Sequence, residues 1–156
     1  MKIYFASDHA GFEMKKILVE YVRSLGHDTE DLGAFTHDDS DDYPDMIAPL
    51  ATQISQMTKN IESADRAIGI ILGGSGQGEA IVANRFAGVR AGVINNENIE
   101  LVKLLREHND ANVLSLGARF ISPEFAMLAV KTFIDTEFSH DPRHERRIKE
   151  IDRECL

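Results

Sequence analysis

Short apolar runs alternate along this chain with longer stretches in which apolar residues recur every three or four positions. Residues 2–7 form the first run and predict a buried strand. Over residues 11–24, Phe12, Ile17, Leu18, Tyr21 and Val22 keep helical spacing, and Gly26 stands where a helix C-cap belongs. Residues 27–32 predict a second strand. The pattern then breaks: residues 33–45 are polar and rich in Asp, a loop that ends in Tyr43-Pro44. Pro44 or Asp45 opens a helix to about Lys59. Residues 67–72 give the clearest buried strand, 73–78 a glycine-rich turn, and 79–86 a helix. A fourth strand over 89–94, a helix over 96–107 and a fifth strand over 112–116 follow. Ser122 and Pro123 are the N-cap and first-turn pair of a helix through Phe133. Beyond Pro142, residues 143–154 read as a charged, exposed helix.

Strands that alternate with helices through short links predict an α/β fold: a Rossmann-like three-layer α/β/α sandwich around a five-stranded parallel sheet. No repeat, low-complexity tract or linker interrupts residues 1–156, so a single domain with a helical tail from about residue 140 is the economical expectation. In such sheets ligands lie outside the carboxyl ends of the strands. The segments to inspect are Ser7-Asp8-His9, residues 73–79, and Asn95-Asn96.

Charge narrows the field. Seventeen Lys and Arg face 26 Asp and Glu, a formal net charge of −9, which argues against nucleic acid or an anionic membrane as partner. A small anionic substrate stays open, because a few placed arginines can create a local positive site. The one cysteine, Cys155, permits no internal disulfide and suits a reducing compartment. No stretch reaches the length of a membrane span, and the first apolar run is too short for a signal peptide. The expected location is the cytoplasm.

The turn Gly73-Gly74-Ser75-Gly76-Gln77-Gly78-Glu79 is the most informative segment. Its glycines let the backbone approach a ligand, and the following helix points free N–H groups and its positive dipole end toward it. That suits a phosphate or an oxyanion formed during reaction. No Gly-Lys-Ser/Thr follows, so it is not a P-loop, and the alternate glycine spacing fits a dinucleotide fingerprint poorly. Glu79 has two readings of equal weight on its own: a catalytic carboxylate beside the ligand, or a routine stabilising charge in a helix's first turn.

Asp8 and His9 can bind substrate hydroxyls or simply cap the next helix. His27, His37 and His140 read as structural. His140 and His144 are four apart without a third ligand, and none of the six histidines has zinc-site spacing, so no metal is expected.

Together these segments resemble the ribose-5-phosphate isomerase B family, which includes the galactose-6-phosphate isomerase subunits. The resemblance runs over almost the whole chain. It rests on Ser7-Asp8-His9-Ala10-Gly11-Phe12, Asp42-Tyr43-Pro44, the turn from Gly73 to Glu79, and the motif Ala83-Asn84-Arg85-Phe86-Ala87-Gly88-Val89-Arg90-Ala91. It continues through Glu107-His108-Asn109-Asp110-Ala111-Asn112-Val113-Leu114 to Gly117-Ala118-Arg119 and the tail arginines. One type in that family uses a cysteine base at the position of Gly73, which glycine excludes here. The other has Gly-Gly-Ser-Gly-x-Gly-Glu and uses the glutamate, which corresponds to Glu79.

The resemblance implies an aldose–ketose isomerase with Glu79 as base and His108 as the acid/base for ring opening. Asp8, His9, Tyr43 and Asn109 would surround the sugar, and Arg119, Arg143 and Arg147 would hold the phosphate. It also implies a homodimer or dimer of dimers with sites shared between subunits.

That chemistry matches the residues. One carboxylate can accept and return the proton, a histidine near neutrality can serve ring opening, and arginine grips phosphate with paired hydrogen bonds. Backbone N–H groups of Gly74, Ser75, Gly76, Gln77 and Gly78 could hold the enediolate oxygen. The scheme requires no cofactor. At Glu79 the helix N-terminus favours the carboxylate while burial opposes it, and the sequence leaves the winner open. Arg143 and Arg147, four apart, share a helix face; without the resemblance they read as solvated charge. The expected substrate pair is ribose 5-phosphate and ribulose 5-phosphate. A tetrose or hexose phosphate is the alternative, and a non-catalytic sugar-phosphate-binding regulatory module is another, against which Glu79 and His108 together argue.

Overall fold

A computed structural model describes residues 1–59 and 68–154; Ala67, expected at the head of the third strand, and Cys155 lie outside the described residues. Among the described residues are five strands: β1 (Lys2–Ser7), β2 (Asp28–Asp31), β3 (Ile68–Gly73), β4 (Ala91–Ile94) and β5 (Val113–Gly117). Helices α1 (Phe12–Ser24), α2 (Tyr43–Lys59), α3 (Gln77–Ala83), α4 (Ile99–Asn109), α5 (Pro123–Asp135) and α6 (Pro142–Glu154) complete the α/β arrangement. Every strand pairing is parallel.

Alternation along the strands assigns each side chain to a face. Ile3, Phe5, Ile68, Ile70, Leu72, Leu114 and Leu116 turn toward α1, α4 and α5, where Leu18, Val22, Val102, Ala126, Val130 and Phe133 meet them. Tyr4, Ala6, Ile71 and Val113 turn to the opposite face, against Ile47, Leu50 and Ile54 of α2 and Ala83 of α3. The sheet is covered on both sides, which is why its central strands read as continuous apolar runs.

Several element ends differ from the expected ones for local reasons. Gly76 adopts φ 76°, so α3 starts at Gln77, two residues early. Gly88 at φ 77° precedes β4, which shortens to Ala91. The Asn98 side chain accepts from Glu100 N at 3.1 Å, so α4 starts at Ile99. Ser122 caps α5 as expected, accepting from Phe125 N at 3.2 Å.

The strand order is β2-β1-β3-β5-β4. The chain leaves β1 toward β2, then returns to the other side of β1 with β3. That reversal opens a crevice at the carboxyl ends of β1 and β3, where such sheets bind ligands. Ser7 pairs with Leu72, and Gly73 with Gly117, so the segments after β1, β3 and β5 emerge side by side.

A fully buried lysine fastens the loop beside this crevice. Lys15 Nζ donates to Asp31 Oδ1 and to the carbonyls of Gly33 and Ala34, each at 2.7 Å. Gly33 O also accepts from Ser7 N at 2.7 Å, and Ala34 N donates to Ser7 O at 2.8 Å. Methionine keeps the length of Lys15 but strands these acceptors. Lys15→Met is expected to cost roughly 3 kcal/mol of stability, read as a lowered urea midpoint at unchanged slope.

Candidate active site

Glu79 sits in the first turn of α3 with 4% of its surface exposed. Its carboxylate lies directly against Gly73. A methyl carbon built at Gly73 would overlap Oε1 and Cδ of Glu79 and lie 2.5 Å from Oε2. The missing side chain at 73 is therefore the space that the carboxylate fills. Burial pushes the Glu79 carboxyl above its ordinary value, the nearby Asp8 charge adds to this, and a hydrogen bond from its own backbone N–H works against it. Burial outweighs that backbone hydrogen bond.

The turn is held from below and from the side. Ser115 Oγ donates to Gly76 O at 2.6 Å, and Asn95 Nδ2 donates to Ser75 O at 3.4 Å. The left-handed backbone at Gly76, strained for any L side chain, makes the reversal from β3 into α3. Gln77 N donates to Ser75 Oγ at 3.3 Å. Ala118 N donates to Gly73 O at 2.9 Å and Arg119 N to Gly74 O at 3.1 Å. These bonds bring the Arg119 guanidinium alongside Gly74, where an added Cβ would stand 3.3 Å from Nη1. The Tyr43 ring, at the start of α2, lies over Gly78.

From β1, Asp8 accepts from Gly11 N at 3.1 Å, so it does cap the following turn. It is buried even so, and close enough to Glu79 to influence it. His9 Nδ1 lies 2.7 Å from Asp41 Oδ1. The residues brought to this end of the sheet are therefore Asp8, His9, Tyr43, the segment from Gly74 to Gly78, Glu79 and Arg119. Asp8, His9 and Asp41 each offer a ligand atom within 4.8 Å of the others, although the 2.7 Å contact fits a direct hydrogen bond.

The remaining expected residues lie at the other end. His108 and Asn109 close α4, and β5 begins at Val113, so both flank the amino end of β5. Glu79 follows the carboxyl end of β3, level with Gly117. The length of β5 alone separates the two ends by roughly 15 Å. The His108 imidazole stacks on that of His144 in α6, with centroids 4.3 Å apart and planes at 15°. Ser139 N and Oγ both donate to Glu107 O, at 3.2 and 2.6 Å, tying the start of the tail to α4. Arg143 and Arg147 are thus carried on the His108 side, both exposed, with Arg143 held by both oxygens of Asp141. His144 packs on His108, while His140 Nδ1 meets Glu145 at 3.3 Å.

Asp41 was not singled out by sequence reasoning. It belongs to a run of aspartates that reads as solvated, and its only signal is its place two residues before Tyr43. A separate hollow of about 300 Å³, lined by Phe86, Val89, Leu105, Asn109 and Ile151 among others, lies by β4 and away from Glu79.

A model of the ribose/galactose isomerase family matches residues 3–151. Ribose-5-phosphate isomerase B of Mycolicibacterium paratuberculosis is 40% identical over 148 residues, 95% of this chain and 87% of that protein. The crystal structure of ribose-5-phosphate isomerase B from Mycoplasma genitalium with bound ribulose-5-phosphate superposes with a TM-score of 0.89. It is 34% identical and covers 98% of this chain and 95% of that one. A ribose 5-phosphate isomerase from Thermotoga maritima gives a TM-score of 0.83 at 40% identity, over 97% of each chain. Among the described residues no helix is long and apolar enough to cross a membrane.

Proposed function

This chain belongs to the ribose/galactose isomerase family and is an aldose–ketose isomerase, and we propose that the pair it interconverts is ribose 5-phosphate and ribulose 5-phosphate. The observation that carries the mechanism is the buried Glu79 carboxylate lodged against Gly73 in the β1/β3 crevice. The relative with bound ribulose-5-phosphate supports the choice of a pentose.

After ring opening, Glu79 takes the proton from C2 of the aldose. The electron pair moves into a C1–C2 double bond, and the carbonyl oxygen becomes the enediolate oxygen. Backbone N–H groups between Gly74 and Gly78 are the candidates to stabilise that charge. The O2 hydroxyl proton passes to O1, Glu79 returns its own proton to C1, and the C2–O bond becomes the carbonyl of the ketone. A carboxyl raised by burial suits a group that must accept and then donate. Asp8, His9, Tyr43 and Asn109 would bind the sugar, His108 would serve ring opening, and Arg119, Arg143 and Arg147 would hold the phosphate.

One chain keeps these two sets of residues at opposite ends of its sheet, so the proposed site needs a second copy. A two-fold pair meets the requirement twice: each chain lends its His108 end to the Glu79 end of the other. Exposed Ile81 on α3 and Leu101 and Leu104 on α4 offer apolar surface for such a partner.

The test uses chains carrying Glu79→Gln and chains carrying His108→Asn, each nearly inactive alone. Unfolded together and refolded, they are expected to regain about a quarter of wild-type ribulose 5-phosphate formation, because about half the pairs are mixed and each has one intact site. No recovery overturns the shared site. A wild-type chain that leaves ribose 5-phosphate untouched but converts a tetrose or hexose phosphate overturns the substrate.

A further inference from the structure

The crevice contains a second acid–base pair, His9 and Asp41, of which the isomerisation scheme uses only His9, as a sugar contact. His9 follows β1 directly, beside the turn that carries Glu79, and a quarter of its side chain is exposed. Asp41 comes from the acidic loop and is nearly enclosed, with 5% of its side chain exposed. Its Oδ1 meets His9 Nδ1 at 2.7 Å, while its buried Oδ2 has no hydrogen-bond partner among the described residues.

An enclosed carboxylate whose partner is a single imidazole does two things to that imidazole. It fixes the ring's orientation by holding Nδ1, and it favours the charged form, since separating a buried carboxylate from its counter-charge is costly. With Nδ1 taken, Nε2 is the only ring nitrogen left for a ligand. In the imidazolium it is a donor; in the neutral ring with Nδ1–H it is an acceptor.

We propose that Asp41 is a positioning residue that acts through His9, holding the imidazole as a cationic Nε2–H donor for the anionic substrate. This rests on the sugar-phosphate reading above and adds to it a residue and a pH dependence of binding. The other carboxylates around His9 point the same way. Asp8 lies on its own turn, and Asp38 and Asp39 on the facing loop interact with it electrostatically. His37, also on that loop, packs edge-on at 6.3 Å between centroids, with its Nε2 3.6 Å from Asp39. The Asp41 hydrogen bond is the largest influence raising the His9 pKa, followed by the opposing cost of burial and then by the charge of Asp8.

The experiment compares wild type with Asp41→Asn, which keeps the shape of the side chain. Two readouts are taken: the NMR titration of the His9 imidazole in the free protein, and kcat and KM for ribose 5-phosphate across pH. In wild type KM is expected to rise as pH climbs through the His9 titration. In Asp41→Asn that rise and the NMR midpoint move together to lower pH. At neutral pH KM increases about tenfold, the value of a hydrogen bond to a charged group, while kcat changes less. In the double variant with His9→Asn, Asp41→Asn adds no further loss, because its partner is already gone. A His9 titration that is unmoved overturns the proposal, as does a loss confined to kcat, or one that persists after His9 is removed. If the wild-type chain does not act on ribose 5-phosphate, the substrate reading fails, and the titration alone still decides the role of Asp41.

Discussion

Glu79→Gln is expected to lower kcat by about three orders of magnitude while leaving the fold intact and no less stable. Glutamine has the shape of the protonated acid but cannot take a proton from carbon. The stability half of the expectation follows from burial. The folded-state pKa of Glu79 lies above the ordinary carboxylate value, so the folded state holds this proton more tightly than the unfolded chain. The resulting stability is fully present below the unfolded value, near 4.5, and is lost as pH rises through the folded one. Above that folded value wild type carries a buried charge that the variant lacks. Calorimetry should show the variant melting at or above wild type at pH 7, with the gap shrinking toward pH 4. In wild type the acid limb of kcat/KM should lie above the range of an exposed glutamate. Turnover within tenfold of wild type would remove Glu79 from the role of base.

Gly73→Ala should be the second most damaging change, lowering kcat about a hundredfold. The methyl group would occupy the volume of the Glu79 carboxylate. The backbone cannot yield easily, because Gly73 O accepts from Ala118 N at 2.9 Å and the strand pairs with β5. The carboxylate must therefore swing away from its working position. The overpacking itself should cost only about 1–2 kcal/mol, visible as a modest drop in melting temperature. Combined with Glu79→Gln, the alanine should do little further harm to kcat, since the base it displaces is already absent. An effect carried by KM alone would contradict displacement of the base.

Much of the fold is legible in the sequence because its strands are buried on both faces and its turns are marked by Gly, Pro and cap residues. The strand order is not. Periodicity says which face a residue occupies but not which strand lies beside it, so the placement of β5 inside β4 could not be read from the pattern. Glu79 could be located from the turn, but the outcome of burial against the helix dipole depends on packing around it. The burial of Lys15 is hard to read from the sequence, because a Lys-Lys pair in a helix is ordinarily solvated. Its signal was its spacing: three and four residues before the buried Leu18 and Val19, it lies on the apolar stripe of α1. Asp41 carried no comparable mark, since its neighbour His9 is 32 positions away and the two meet only once the loop folds over β1.

The Lys15 clamp also bears on how the crevice meets its ligand. An acidic stretch such as residues 33–42 would, if untethered, sample many conformations and lose that freedom whenever a substrate was bound. The buried ammonium fixes the loop's root to the end of β1 through the carbonyls of Gly33 and Ala34. The ordering entropy at that root is then lost once, when the chain folds, and does not recur at each encounter. The wall that presents Asp41 and leads into Tyr43 is preorganised by a lysine of α1.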